Sequence, residues 1–347
     1  MAQINKPNEY FNTKLYTGNG STQAVTGVGF QPDWVWIKDR SVGYNHALFD
    51  SVRGTTKLLQ SNTTNAEQTT SGVSSFDSDG FTLGSDIGMN QSSGSFASWN
   101  WLAGGTASSN TDGSITSSVS ANTDSGFSIV SYTGGGSFGD TVGHNLGAVP
   151  AMIIVKTRNA TSSWYTWHKG TGATDNQFMD FDTGALQTSG ATIFDVSAMS
   201  STTFTLGTNT DVNGSGSPKI AYCFAEKKGF SKFGSYTGNG STDGTFVYTG
   251  FKPAFLLIKS SSVTGTTWFM FDNKRATYNI VNKELYAEDS QGEATVDRLD
   301  FCSNGFKCRN TSSSLNGSGS TYIYMAFAEN PLVGTNNVPA TARWLHL

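Results

Sequence analysis

Apolar residues in this chain fall in short bursts of two kinds. In the first, apolar side chains stand at consecutive positions behind a proline and end at a lysine: Pro32 to Lys38 (PDWVWIK), Pro150 to Lys156 (PAMIIVK) and Pro253 to Lys259 (PAFLLIK). Such a run predicts a strand covered on both faces, or one bent between two sheets. Proline is compatible with its first position, where no ladder hydrogen bond needs a donor. In the second kind polar and apolar residues alternate, as in Ser98-Trp99-Asn100-Trp101, which puts both tryptophans on one face. No segment holds a 3.6-residue period over ten positions, and Lys57 to Gln60 or Tyr286 to Asp289 suffice for one helical turn. The pattern predicts an all-β protein made of antiparallel sandwich modules of jelly-roll or lectin-like type.

The bursts recur in a fixed order. Tyr16-Thr17-Gly18-Asn19-Gly20 returns as Tyr132-Thr133-Gly134-Gly135-Gly136 and as Tyr236-Thr237-Gly238-Asn239-Gly240, at intervals of 116 and 104 residues. Each copy is followed by the proline-led run and then by an aromatic segment: His46 to Asp50, Trp164 to His168, Trp268 to Asp272. A turn-plus-strand comes next, at Asp79-Gly80-Phe81, Thr203-Phe204-Thr205 and Asn304-Gly305-Phe306, and then a last strand ending near Trp101, Phe224 or Phe327. The interval is too long for a solenoid turn and suits a β domain of roughly 100 residues. The chain therefore divides into an arm (1–12), a first module (13–103), a Gly/Ser/Thr/Asn linker (104–125), a second module (126–227), a third (228–330) and a tail (331–347). Within the linker, Ile115 and Val119 allow one edge strand at most.

Composition narrows the function classes. Of the 347 residues, 14% are charged against roughly 25% in ordinary globular proteins. Forty glycines with many Ser, Thr and Asn fit short strands and tight turns, and 12% aromatic residues exclude a disordered chain. The net charge of −4 with scattered basic residues leaves no stripe for nucleic acid. No stretch approaches the 18 apolar residues of a membrane span, so membrane insertion is not expected, and the opening Met1 to Pro7 lacks the apolar core of an export signal. Cys223 reads as a small buried hydrophobe. Cys302 and Cys308 flank a turn where a disulfide is open, but the other modules have no cysteine there, and a reducing compartment of synthesis is expected.

Candidate chemistry is thin. His46, His144 and His168 have no nucleophile elbow around them, and they read as hydrogen-bonded or solvated loop residues. The pairs Asp77 and Asp79, Asp180 and Asp182, and Asp297 and Asp300 read as turn-stabilising aspartates; a glycosidase needs two facing carboxylates, and calcium loops need an Asp ladder that is missing. The YTGNG segments lack the Lys-Ser/Thr and helix of a phosphate loop and read as turns. No catalytic residue, metal ligand or cofactor is expected, and Trp34, Trp36, Trp99, Trp101, Trp164, Trp167 and Trp268 read as core. Ligand contacts are assigned instead to the variable loops after each lysine, at Tyr44, Asn45, Asn159, Ser163, Ser262 and Thr264.

The phrases NKPNEYFNTKLYTGNG, GVGFQPDWVWIKDR, HNLGAVPAMIIVK, AYCFAEKKGFSKFGSYTGNG and VPATAR resemble a family of tandem-repeat β proteins of tailed phages of marine bacteria and cyanobacteria. That family is described as virion structural or tail-fibre-like. The resemblance runs from Asn5 to Arg343 and implies synthesis in the host bacterial cytoplasm, a place on the virion surface, and other virion proteins as partners. It also implies homo-oligomers, with a trimer as for fibres, and contact with a host-surface glycan. A capsid decoration or head-fibre protein is the alternative, and an envelope polysaccharide depolymerase a third reading. Trp344, Leu345 and His346 extend past the VPATAR ending as a candidate docking tail.

Overall fold

A computed structural model describes residues 4–331 apart from 173 and 182–184; the candidate docking residues Trp344, Leu345 and His346 lie outside the described residues. The fold is all-β and antiparallel, and the same strand order occurs three times. The strand bearing the YTG motif lies beside the last strand of its repeat, then comes the proline-led strand, then the aromatic one. In the first repeat these are Phe11–Thr17, Ser95–Trp101, Trp34–Asp39 and Ala47–Asp50. The second uses Phe127–Thr133, Pro218–Phe224, Met152–Thr157 and Trp164–His168. The third uses Ser231–Thr237, Thr321–Ala328, Pro253–Ser260 and Phe269–Asp272. A smaller set of strands closes each repeat's outer side, such as Gln23–Thr26, Gly80–Leu83 and Val73–Asp77 in the first. No helix among the described residues is long and apolar enough to cross a membrane.

The proline-led strands explain their own composition. Along Trp34–Asp39, Val35 and Ile37 point into the first repeat's own sandwich with Phe81, Leu83 and Phe96. Trp34 and Trp36 point the other way, into a larger cluster that draws on all three repeats. Met152 and Ile154 enter the same cluster from the second repeat, and Phe255 and Leu257 from the third. Each main sheet is therefore covered on both faces, which removes the alternation that a one-sided sheet would show. The rings meet across the repeats: Trp34 stacks on Tyr222 at 4.4 Å, Phe11 on Phe327 at 5.0 Å, and Phe327 lies 6.2 Å from Phe224. The seven tryptophans read as core are all buried.

The YTG motif is a turn that closes on a buried asparagine. Tyr16, Tyr132 and Tyr236 each donate a 2.7 Å hydrogen bond to the carbonyl of Met89, Val212 or Leu315. The next residue, Asn90, Asn213 or Asn316, is fully buried. Its side-chain oxygen accepts from the backbone of Asn19, Gly135 or Asn239 at 2.9 to 3.1 Å. Its amide nitrogen donates to carbonyls of the adjoining turns, for Asn213 to Ser137 and Gly207 at 2.9 Å each. The first glycine is required because a Cβ at Gly18, Gly134 or Gly238 would collide with the carbonyl of Gln91, Gly214 or Gly317. The second, Gly20, Gly136 or Gly240, sits at φ 73°, 90° or 68°. Asn213→Ala leaves these buried groups without partners and is expected to cost about 2 kcal/mol or more, read as a lowered urea midpoint at unchanged slope.

Residues 104–125 differ from the linker reading. They form two strands, Ser108–Asn110 and Ser117–Asn122, and the second pairs along its whole length with Phe127–Thr133. The main sheet of the second repeat thus gains two strands over that of the first. Only Val119 of this segment enters a core cluster as a buried residue, with Ile115 and Ala121 packed at its edge, so the hydrophobic signal was weak. Its stability comes from ladder hydrogen bonds, which leave no mark in composition. The arm also folds back: Ile4 donates its amide to Lys228 at 3.3 Å, and Asn8 to the Asn330 side chain at 3.0 Å.

The three cysteines are free thiols. In the strand pair Ala294–Cys302 and Gly305–Cys308, Leu299 lies opposite Cys308 and both are buried, whereas Cys302 is half-buried opposite Gly305. Burial pushes the Cys308 thiol up to about 11 and raises that of Cys223 further, so neither is poised as a nucleophile.

Candidate functional site

The loops singled out in the sequence follow the buried lysines, and each lies on a different seam between repeats. Lys38, Lys156 and Lys259 end the proline-led strands on the face that carries Trp36, Ile154 and Leu257, and all three are fully buried. Lys38 donates to the carbonyls of Asp39 at 2.7 Å and Val42 at 3.3 Å. Lys156 donates to Thr64 of the first repeat at 3.0 Å and to Ser162, and Lys259 to Thr266. Loss of solvent pulls Lys38 and Lys259 down to about 8. These lysines tie the loop that follows each of them to the end of the common core.

Within those loops Asn45, Asn159, Ser262 and Thr264 are exposed, and Tyr44 and Ser163 half-buried. Asn45 accepts from Asn62 at 2.7 Å, Asn159 from Ser217 at 3.1 Å, and Ser262 from the amide of Thr321 at 2.8 Å. Tyr44 and Asn45 border the seam to the third repeat, Asn159 and Ser163 that to the first, and Ser262 and Thr264 that to the second. The structure spreads the six residues over three seams and gathers them into no single pocket.

The seams themselves are built alike and run in one cyclic sense. The residue opening each aromatic segment reaches a backbone carbonyl of the neighbouring repeat. Trp164 Nε1 donates to Gln60 at 3.0 Å, Trp268 Nε1 to Asp180 at 2.7 Å, and His46 Nε2 to Tyr286 at 2.8 Å. A backbone bond crosses beside it: Glu67 to Arg158 at 2.8 Å, Glu293 to Arg40 at 2.7 Å, Leu186 to Ser261 at 3.2 Å. Two seams add a buried ion network. Arg53 donates to Asp50 at 2.5 Å, and Arg158 of the next repeat grips Glu67 with bonds of 2.8 and 3.0 Å. Arg275 donates to Asp272 at 2.5 Å, and Arg40 grips Glu293 with two bonds of 2.9 Å. Across these seams Tyr222 donates to Asp50 at 2.7 Å and Trp99 to Asp272 at 3.1 Å.

Among the described residues, the seam between the second and third repeats does not repeat this Asp-Arg-Glu-Arg set. His168, Thr171, Leu186 and Ser261 stand where the others carry Asp, Arg, Glu and Arg. All four positions change together, as electrostatics demands. A buried ion pair missing one partner is worse than no pair, because the remaining charge keeps its desolvation cost.

The histidines are structural on this geometry. In each, Nδ1 accepts an N–H: from Trp36 Nε1 at 2.7 Å for His46, Leu146 at 3.1 Å for His144, and Gly170 at 2.9 Å for His168. Each Nε2 faces a carbonyl, Tyr286 at 2.8 Å, Ser200 at 3.3 Å or Tyr324 at 3.1 Å, so it must carry the proton. All three are fully buried or nearly so rather than solvated; His46 and His144 lie in loops as the sequence reading had them, and His168 ends a strand. A second ring proton would oppose the N–H at Nδ1, and burial pulls the three down to about 3, 4 and 4.

A histidine whose folded pKa lies below its unfolded value of about 6.5 contributes stability above that value and loses it as pH falls. Glu288 has the opposite sign. Seated on the Trp268 amide at 3.0 Å and pushed up to about 7 by desolvation, it favours the folded state as pH falls from 7 towards 4.5. The three histidines outweigh it. Stability is expected to drop between pH 6.5 and 4 by roughly 1.4 kcal/mol per pH unit for each uncompensated histidine. Urea midpoints measured across that range check this, and His168→Gln should flatten the slope.

The aspartate pairs do turn work. Asp79 accepts from the amides of Gly27 at 2.9 Å and Gly29 at 2.6 Å, and Asp77 from Ser75 at 2.8 Å and Thr82 at 2.7 Å. Asp180 accepts from Gln187 at 3.0 Å, and Asp182 is outside the described residues. Asp297 accepts from Asn282 at 3.3 Å, and Asp300 pairs with Arg309 at 3.4 Å.

A family model described as a domain of unknown function, DUF7483, matches residues 6–331. The chain belongs to that family. No curated protein and no solved structure matches the chain. The DUF7483 match begins in the arm and ends just after the last strand, so one family unit spans all three repeats. That is the unit the common core defines. The residues that sequence reading missed belong to it: Asn90, Asn213 and Asn316, and the seam set around Asp50 and Asp272. The asparagines had a signal, an apolar-Asn pair recurring as Met89-Asn90, Val212-Asn213 and Leu315-Asn316.

Proposed function

We propose that the chain is a structural protein on the surface of a tailed-phage particle, made in the host cytoplasm, and that it acts as a tail-fibre or tail-tip component touching host-surface glycan. The observation that carries the reading is the polarity of the assembly. The loops 39–46, 157–163 and 260–267 leave the main sheets at one end. The described chain ends, near Ile4 and Asn330, lie at the other, where Tyr10 meets Leu102 and Phe230 meets Ala328. One chain thus offers three equivalent loops in one direction, and weak contacts made together gain through effective concentration. The resemblance of its long phrases to those of phage virion proteins is what suggests the particle. Other virion proteins and further copies of the chain are the proposed partners.

The second reading, a capsid decoration or head-fibre protein, shares the polarity but places the loops on the head. Immunogold microscopy of virions with antibody raised against the folded protein separates the two. Gold at the tail is expected, and gold spread over the head would replace the tail reading with decoration. Release of reducing sugar from host polysaccharide by the purified protein would instead move the proposal to the depolymerase reading.

A further inference from the structure

The hairpin formed by Ser108–Asn110 and Ser117–Asn122 does more than widen a sheet. Between it and the turns at 144–147 and 200–202 lies a cleft of about 490 Å³, within the roughly 300–1,000 Å³ of small-molecule sites. Its floor includes buried Val119 beside Ala121. Its rim carries the hydroxyls of Thr106, Ser108, Thr123 and Ser201, and none of the four bonds to another described residue. Asn145, also on the rim, is one of two non-glycine residues with positive φ among the described residues, at 55°. Its Oδ1 is fixed by Asn110 Nδ2 at 2.6 Å, which leaves its own amide nitrogen as a donor. No charged side chain lines the cleft.

We propose that this cleft binds a neutral oligosaccharide. Hydroxyls that both donate and accept suit sugar hydroxyls, which do the same. An apolar floor takes the C–H face of a pyranose. The lack of charge argues against phosphates, sulfated sugars and acidic peptides, whose desolvation would find no offset here. The first repeat has no strand pair before its YTG strand to wall such a cleft, so the site belongs to the second repeat rather than to the threefold pattern. The proposal rests on the glycan part of the functional reading, but it moves the contact from the loops to the cleft.

The test uses the full chain, isotopically labelled, titrated with cellotriose, chitotriose and maltotriose at millimolar concentrations. At least one is expected to shift amides at Thr106, Ser108, Asn145 and Ser201. Ser201→Trp, which fills the cleft from an exposed turn, should weaken that binding by about tenfold or more. Thr123→Trp does so from the opposite rim should the first variant not fold. Asn159→Ala and Thr264→Ala, on the loops of the functional reading, separate the two sites, and Tyr278→Ala, at an exposed position in neither, should bind as the parent does. The proposal is overturned if no cleft amide moves with any of the three sugars, or if the filled variants bind undiminished. It is also overturned if only the loop variants lose binding, an outcome that leaves the host-recognition reading intact. Binding in the cleft by a protein that fails to compete with virions for adsorption would uphold this site and sink that reading.

Discussion

Arg53→Ala is expected to destabilise the protein by about 3–5 kcal/mol, a large effect for the removal of one charge. Arg53 and Asp50 are both fully buried, 2.5 Å apart. The guanidinium also holds the carbonyls of Lys57 at 2.8 Å and Leu48 at 3.0 Å, and reaches Tyr222 of the second repeat at 3.2 Å. Alanine leaves a carboxylate in the core with Tyr222 as its remaining cross-seam donor, and removes a donor from the carbonyls of Lys57 and Leu48, the latter keeping the Leu59 amide at 3.2 Å. Equilibrium urea unfolding checks the size. Arg275→Ala should behave alike at the seam between the first and third repeats, where it pairs with Asp272 and donates to the Met270 carbonyl at 2.8 Å. The two variants share no partner, and their effects should add to within about 0.5 kcal/mol. A cost under about 1 kcal/mol for either would show that the networks are solvated in solution.

Phe327→Ala is expected to cost about 3–5 kcal/mol, and its effect should not stay in the third repeat. The ring lies on strand Thr321–Ala328 and meets Phe11 at 5.0 Å and Trp101 at 5.9 Å in the first repeat. It meets Phe224 of the second at 6.2 Å, and Phe230 at 5.3 Å and Phe233 at 6.3 Å in its own. Deleting it opens a cavity bounded by all three repeats, whose packed neighbours can relax only in part. Amide exchange should therefore speed up in strands Trp34–Asp39 and Met152–Thr157 as well as in Pro253–Ser260. Acceleration confined to the third repeat would mean that the shared cluster is a contact between independent domains.

How far the fold was legible follows from which interactions are local. The consecutive apolar runs in PDWVWIK, PAMIIVK and PAFLLIK showed strands covered on both faces, because period-two alternation fails only there. They did not show what covers the second face. That depends on Trp34, Met152 and Phe255 meeting across more than a hundred residues of chain, and no local pattern encodes it. The lysine closing each run was visible as a repeat, but its burial was not, since lysine ordinarily ends a strand by reaching water. Residues 104–125 misled because serine and threonine form a paired hairpin here with little apolar signal. The candidate loop residues were placed on variable, exposed turns, and the structure separates them by seam. The cleft went unseen because it joins the hairpin at 108–122 to turns as distant as Thr202.

The three repeats share one core and should stand or fall together. Hydrogen exchange followed by mass spectrometry through a urea series reads this directly, with peptides covering Trp34–Asp39, Met152–Thr157 and Pro253–Ser260 as separate probes. A common core predicts that all three lose protection in one transition with one midpoint and one slope. Separate midpoints, with the second and third repeats parting first at the seam without a buried Asp-Arg-Glu-Arg network, would contradict a single core and make the chain three modules that merely touch.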